Sequence, residues 1–139
     1  MSDYTIVRRE EVPEYTGDAP GEFRGYGRAL GTEQVAFNLR VLAPHTTHAP
    51  PGSDPSWGHS HRTQEEIYFV VAGEITIKLG DAVETLGPRD AVRIAPETVR
   101  AVRNDGDEEA AFALVSRKIE DAMADTQVAE DFWPQAGAA

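Results

Sequence analysis

Four histidines, His45, His48, His59 and His61, are the only ones in the 139-residue chain, and all fall within one short segment. One residue separates His59 from His61, so on an extended strand both side chains leave from the same face. Two neighbouring imidazoles are natural metal ligands, because each offers a neutral nitrogen donor. Glu66 follows five residues after His61, and Arg62, Thr63 and Gln64 between them can form a corner that turns its carboxylate back towards the rings. Two histidines and one carboxylate on adjacent strands resemble a facial triad, a donor set suited to a divalent ion such as Fe, Mn, Ni or Zn. Taken alone, an H-x-H pair is often just two polar loop residues, and Glu66 a solvated charge at a strand end. The clustering of all three before a strongly apolar strand favours the metal reading.

The elements that must position these residues read as β. Residues 67–71 (IYFVV) form a compact apolar, β-branched and aromatic run, Ala72-Gly73 interrupts it, and residues 74–79 (EITIKL) alternate apolar with polar side chains. An apolar run and an alternating run around a glycine break are a hairpin signal. Further strands are expected over residues 82–86, 91–94, 98–103 and 110–116, with turns at Gly80-Asp81, at residues 87–90 and at residues 104–107. Upstream, residues 34–42 (QVAFNLRVL) read as a good strand and residues 25–30 as a weaker one. The proline-rich stretch 44–57 is a long loop, of the kind that tends to be functional or mobile. Only residues 117–125 look helical, with Ile119, Ala122 and Met123 at i, i+3 and i+4. Many short strands at regular spacing argue for an all-β sandwich or barrel rather than alternating strands and helices.

Composition narrows the class. The chain has the length of one domain, and its 13 basic against 24 acidic residues give a net charge of −11 and a pI near 4.7. Such a surface repels phosphate backbones and anionic lipid, so neither a nucleic-acid nor a membrane partner is expected. The absence of cysteine excludes disulfides, thiolate metal sites and a cysteine nucleophile. Hydrophobic residues, at 40%, are too many for a disordered acidic chain. No apolar run approaches the ~18 residues of a membrane span, and the first residues, MSDYTIVRREEVPEY, lack a signal peptide's apolar stretch. These features lead us to expect a single cytoplasmic globular domain over residues 1–139. No G-x-S-x-G elbow is present, and because residues 25–30 read as a strand, the glycines of residues 21–27 are not expected to form a phosphate cradle.

The stretch His59-Ser60-His61, four residues, Glu66, six residues, Gly73 resembles the first motif of the cupin superfamily. The likeness spans about residues 25–117. It implies a double-stranded β-helix, a flattened jelly-roll-like barrel that holds metal and substrate in its interior, with a short C-terminal helix and tail over about residues 117–139. By the same resemblance His59, His61 and Glu66 are the metal ligands and a homodimer is expected. The family's second motif is altered here. Pro96 and Asn104 stand in place, but Glu97 occupies the usual glycine position and Arg100 stands where a fourth ligand, a histidine, belongs.

Arginine cannot ligate a metal, because its guanidinium stays protonated and offers no lone pair. Three readings follow. A metal is held by His59, His61 and Glu66, and Arg100 meets an anionic substrate with its planar fork. Alternatively, His45 or His48 enters from the long loop as a replacement ligand. In the third reading the site is metal-free and Arg100 pairs with Glu66 inside the barrel, since a buried cation beside a divalent ion suffers like-charge repulsion. Arg103, on the opposite strand face, would take the inward place if the register were shifted by one. Tyr68 shares a face with Glu66 and either lines the cavity as a substrate-binding residue or packs as an ordinary core aromatic. Trp57 either closes the pocket mouth or packs on the loop. Two functions remain open: a metal-dependent enzyme acting on a small anionic molecule, of dioxygenase, isomerase or decarboxylase type, or a non-catalytic small-molecule binding protein.

Overall fold

The structure, a computed structural model, describes residues 3–134. From the N-terminal side, β1 (Glu22–Arg24) leads through helix α1 (Tyr26–Leu30) to β2 (Val35–Leu42). The long loop that follows contains β3 (Thr46–Thr47) and ends at β4 (Gly58–His61). Then come β5 (Glu66–Ala72), β6 (Ile75–Leu79), β7 (Ala82–Leu86), β8 (Ala91–Ile94), β9 (Arg100–Asn104) and β10 (Ala110–Arg117). Helix α2 (Ala122–Asp125) and β11 (Thr126–Ala129) complete the order.

The strands form two antiparallel sheets, one ordered β1-β2-β10-β5-β8 and the other β11-β4-β9-β6-β7, with β3 beside β9. The all-β barrel expected from the spacing of the strands is thus present. Side-chain alternation explains the interior: along β5, Glu66, Tyr68 and Val70 are buried while Ile67 and Phe69 face out. Tyr68, Val70, Ile75, Ile77, Val102 and Phe112 form the centre of the apolar core between the sheets. Tyr68 and Phe112 also line the cavity described below, which adjoins this core.

Three local expectations are corrected. The glycine break at residue 73 does not close a hairpin: β5 pairs with β10 and β8, whereas β6 pairs with β7 and β9. The turn carries the chain from one sheet to the other, so that Tyr68 and Val70 face Ile75 and Ile77 across the core. Gly73 has φ +69°, and a Cβ there would clash with the Glu109 carbonyl, so glycine is required on both counts. Residues 26–30 are helical rather than extended, stopped by Gly31 in the left-handed conformation. The C-terminal helix is a single turn over Ala122–Asp125, because Arg117 still pairs with Val35 in the sheet and the Asp121 side chain caps the turn at the Ala124 N–H. Residues 135–139 of the anticipated tail lie outside the described residues.

Candidate metal centre

β4 brings His59 and His61 to the interior side by side, and the corner at residues 62–65 returns the chain so that Glu66 opens β5 next to them. One donor atom from each of His59, His61 and Glu66 lies within 4.8 Å of the other two, and all three residues are buried. His61 Nε2 stands 3.1 Å from Glu66 Oε1, and His59 Nε2 stands 3.9 Å from the same oxygen. Two nitrogens and a carboxylate oxygen, converging from two adjacent strands, match the donor types and open geometry of a facial site.

Each imidazole has its own backing. Behind His61, Asp125 Oδ2 lies 3.7 Å from Nδ1. In the structure Nε2 donates to Glu66 Oε1 (3.1 Å). When an ion is bound, a carboxylate behind Nδ1 can take up the ring proton there and turn the Nε2 lone pair to the site, the usual orientation of a metal-bound histidine. Asp125 is held by N–H donors of Thr63 (3.0 Å) and Gln64 (3.1 Å) and by the Thr63 hydroxyl (2.7 Å). Burial pushes its carboxyl up, but these bonds bring it below the ordinary value. The same bonds pin the corner between β4 and β5, so the last residue of α2 orients a ligand and shapes the turn at once.

Behind His59 stands His48. The Val102 N–H donates to His48 Nδ1 (3.0 Å), which leaves the His48 proton on Nε2 to be donated to His59 Nδ1 (3.2 Å). That chain places the His59 proton on Nε2, facing Glu66. Metal ligation by His59 Nε2 needs the other tautomer, so loading would make His48 the acceptor and release the Val102 N–H. Burial lowers His48 to about 3 and His59 to about 2, so both rings stay neutral. The three donors fit a divalent ion in type and position, once the Nε2 protons of His59 and His61 that face Glu66 are displaced.

Glu66 also accepts from the Tyr68 hydroxyl (3.2 Å), and Arg100 Nε is 3.8 Å from its Oε1. Burial raises Glu66, yet the hydrogen bond from His61 and the neighbouring Arg100 cation outweigh it and hold the carboxyl below its ordinary value. Arg100 is fully buried and is the register partner of His59. Its guanidinium leans on the carbonyls of Ala95 (3.3 Å) and Pro96 (3.4 Å), beneath the histidines rather than in the cavity wall. Arg103 leaves the opposite face, where it donates to the Trp133 and Pro134 carbonyls and stacks on the Trp133 ring.

A cavity of about 620 Å³ opens above the triad, and Tyr68, Trp57 and His48 are in its wall. Trp57 stacks on His59 with ring centroids 5.0 Å apart. His45 is far less involved: it is exposed and bonded to Asp107 (3.0 Å). Sequence reasoning passed over Asp125, the backing role of His48, and Arg40, a cation in the same cavity wall. Arg40 had a signal, for it shares the inward parity of Leu42 in a strand whose one other polar residue is Asn38. Asp125 had none, because only the folded chain brings residues 63 and 125 together.

Comparison with known proteins agrees with this architecture. The family model for the cupin domain matches residues 45–116, and the chain belongs to that family. It is similar to a beta-D-galactosidase of Mycobacterium tuberculosis, at 28% identity over 109 residues, covering 76% of this chain and 86% of the relative. Among solved structures it resembles a cupin-superfamily sugar phosphate isomerase of Silicibacter pomeroyi with a TM-score of 0.70 and 17% identity, covering 96% and 98% of the two chains. A cupin protein of Bacteroides fragilis gives 0.67 at 19% identity over 90% and 95%. The polyketide cyclase RemF of Streptomyces resistomycificus gives 0.64 at 18% over 81% and 78%. At these identities the structures establish the fold alone.

Proposed function

We propose that the protein binds a divalent metal ion through His59, His61 and Glu66 and acts on a small anionic molecule held in the cavity above them. The observation that carries this reading is the convergence of three buried donor atoms within 4.8 Å at the base of a cavity of about 620 Å³. When bound, such an ion acts as a Lewis acid that polarises a ligand oxygen or acidifies a water. The chain's own groups would do the rest. Asp125 orients His61, the Tyr68 hydroxyl bonds to Glu66, and Trp57 with the walls of the cavity shields the site from bulk water.

A second reading has its own support. Arg100 lies 3.8 Å from Glu66 and the His48–His59 chain favours a non-ligating tautomer, as expected of a metal-free binding protein in which the arginine is the counter-ion. Glycoside hydrolysis, suggested by the galactosidase relative, fits less well. That chemistry generally uses two carboxylates flanking the bond, and among the described residues Glu66 is the cavity's single carboxylate.

Elemental analysis of untagged protein beside the His59→Ala/His61→Ala double variant tests the proposal. Near-stoichiometric metal in the parent, lost in a folded double variant, is the expected result. A parent that takes up no metal after reconstitution would move the metal-free reading ahead.

A further inference from the structure

Across the cavity from the histidines, β2 presents Arg40. Its register partners are Phe23 on β1 and Phe112 on β10, so the guanidinium emerges between two phenyl rings that also line the cavity. Its central carbon lies 4.9 Å from the Phe23 ring centroid. Like those of Arg100 and Arg103, the Arg40 Nε is buried without a hydrogen-bond partner. Arg40 alone of the three, however, makes no side-chain hydrogen bond through its other nitrogens to the described residues. Arg100 has Glu66 as its counter-ion and Arg103 has the carbonyls of the C-terminal segment, but Arg40 has only Glu14 and Tyr68 acting on it through space. Burial lowers it only to about 10, which leaves it a cation at neutral pH. A half-buried cation in the cavity wall, with no hydrogen-bond partner among the described residues, offers its terminal nitrogens to a ligand.

We propose that Arg40 anchors the carboxylate of a small organic acid whose apolar body rests on Phe23, Phe112 and Leu114, so that its other end points towards the triad. The inference rests on the cavity being the ligand site proposed above. It deepens that reading by moving the anion-binding role from Arg100 to Arg40. One planar fork matches one carboxylate in charge and geometry. A phosphate dianion would keep an uncompensated charge against the aromatic wall.

The test is calorimetric titration of the full chain, metal-stripped and metal-loaded, with phenylacetate and with the neutral phenylacetamide of nearly the same shape. The parent should prefer the carboxylate by on the order of tenfold, the scale of a charged hydrogen bond. Arg40→Met should reduce phenylacetate to the level of the amide without changing metal content, and Arg40→Lys should keep part of the preference. Equal affinity for the two probes in the parent, no phenylacetate binding at millimolar concentration, or an undiminished preference in Arg40→Met would overturn the proposal. Tighter binding of inorganic phosphate than of phenylacetate would overturn the carboxylate class. Should Arg40→Met not fold, the carboxylate–amide comparison in the parent and in Arg40→Lys still decides. Discrimination without metal uptake would sink the metal centre and leave Arg40 standing, whereas metal uptake without discrimination would do the reverse.

Discussion

On the β4–β5 wall of the interior, Glu66 is surrounded. His61, Tyr68, His59 and Arg100 all converge on its Oε1 within 4 Å. On the β1–β2 wall, Arg40 stands between two phenyl rings with an unpartnered Nε. Glu66 is buried and Arg40 half-buried. The first is paired at close range within the chain, whereas the second makes no side-chain hydrogen bond or ion pair among the described residues and feels Glu14 only from a distance. A compensated charge can serve structure as well as chemistry, so its removal should unsettle the fold. A charge left uncompensated does little for the fold and is best understood through what it will bind. The two walls should therefore respond differently to the same kind of substitution.

The largest effect is expected from Glu66→Ala. It strips Arg100 of its counter-ion inside the protein, and breaking a buried pair by removing one partner typically costs about 3–5 kcal/mol. Denaturant unfolding of the metal-stripped variant should show a loss on that scale, together with loss of metal uptake. A stability unchanged from the parent would mean that Arg100 finds enough compensation in the Ala95 and Pro96 carbonyls. Asp125→Asn comes next. Removing a carboxylate that orients a metal-bound histidine generally weakens affinity by about 10- to 100-fold, and competition with a chelator would measure it.

The two arginines make the comparison directly. In metal-stripped protein Arg100→Met removes the cation beside Glu66 and should destabilise. With metal bound the same change removes a like charge, so metal affinity should rise on the order of tenfold. Arg40→Met should leave stability nearly unchanged, within about 1 kcal/mol, because no partner in the chain is orphaned. Thermal unfolding of both variants with and without added metal reads all of this. Equal responses of the two variants would erase the distinction between the walls.

Much of the β4–β5 wall was legible in the sequence because its logic is local. His59, His61 and Glu66 lie within eight consecutive residues, and strand periodicity alone puts both rings on one face. What could not be read is whatever depends on distant pairing. Alternation told which face of residues 74–79 points inward and the apolar run at 67–71 read as a strand, but neither showed that the two strands belong to different sheets. The sequence placed Arg100 inside the barrel, yet its position beneath the triad depends on β9 pairing with β4 and on the carbonyls of residues 95 and 96. Asp125 was hidden in a stretch that read as a plain amphipathic helix. Its role exists only because one turn of helix ends against the corner at Thr63. Arg40 needed the knowledge that β2 lies opposite the histidines, which topology supplies and periodicity does not.

The smallest expected effect tests how the β1–β2 wall is held. Glu14 accepts the N–H of Thr16 (3.0 Å) and of Phe23 (2.7 Å) and the Thr16 hydroxyl (2.7 Å), tying the N-terminal segment to the strand that carries Phe23. Burial raises its carboxyl, but these hydrogen bonds and the charge of Arg24 outweigh that and bring it from 4.5 to about 2. A carboxyl with a depressed value in the folded chain binds its proton more readily when unfolded. Its contribution to stability is therefore fully present above about pH 4.5 and fades as pH falls towards 2. Glu14→Gln should lower the unfolding temperature at pH 6, and the gap from the parent should narrow on acidification as the parent's own carboxyl takes up its proton. Phenylacetate binding at pH 6 should weaken only a few-fold, since one hydrogen bond that steadies Phe23 is worth roughly 1 kcal/mol. A gap that stays constant with pH would show that the ionised carboxylate is not what holds β1. Phenylacetate affinity untouched by the variant would then place the anchoring of Arg40 in β2 and β10 alone.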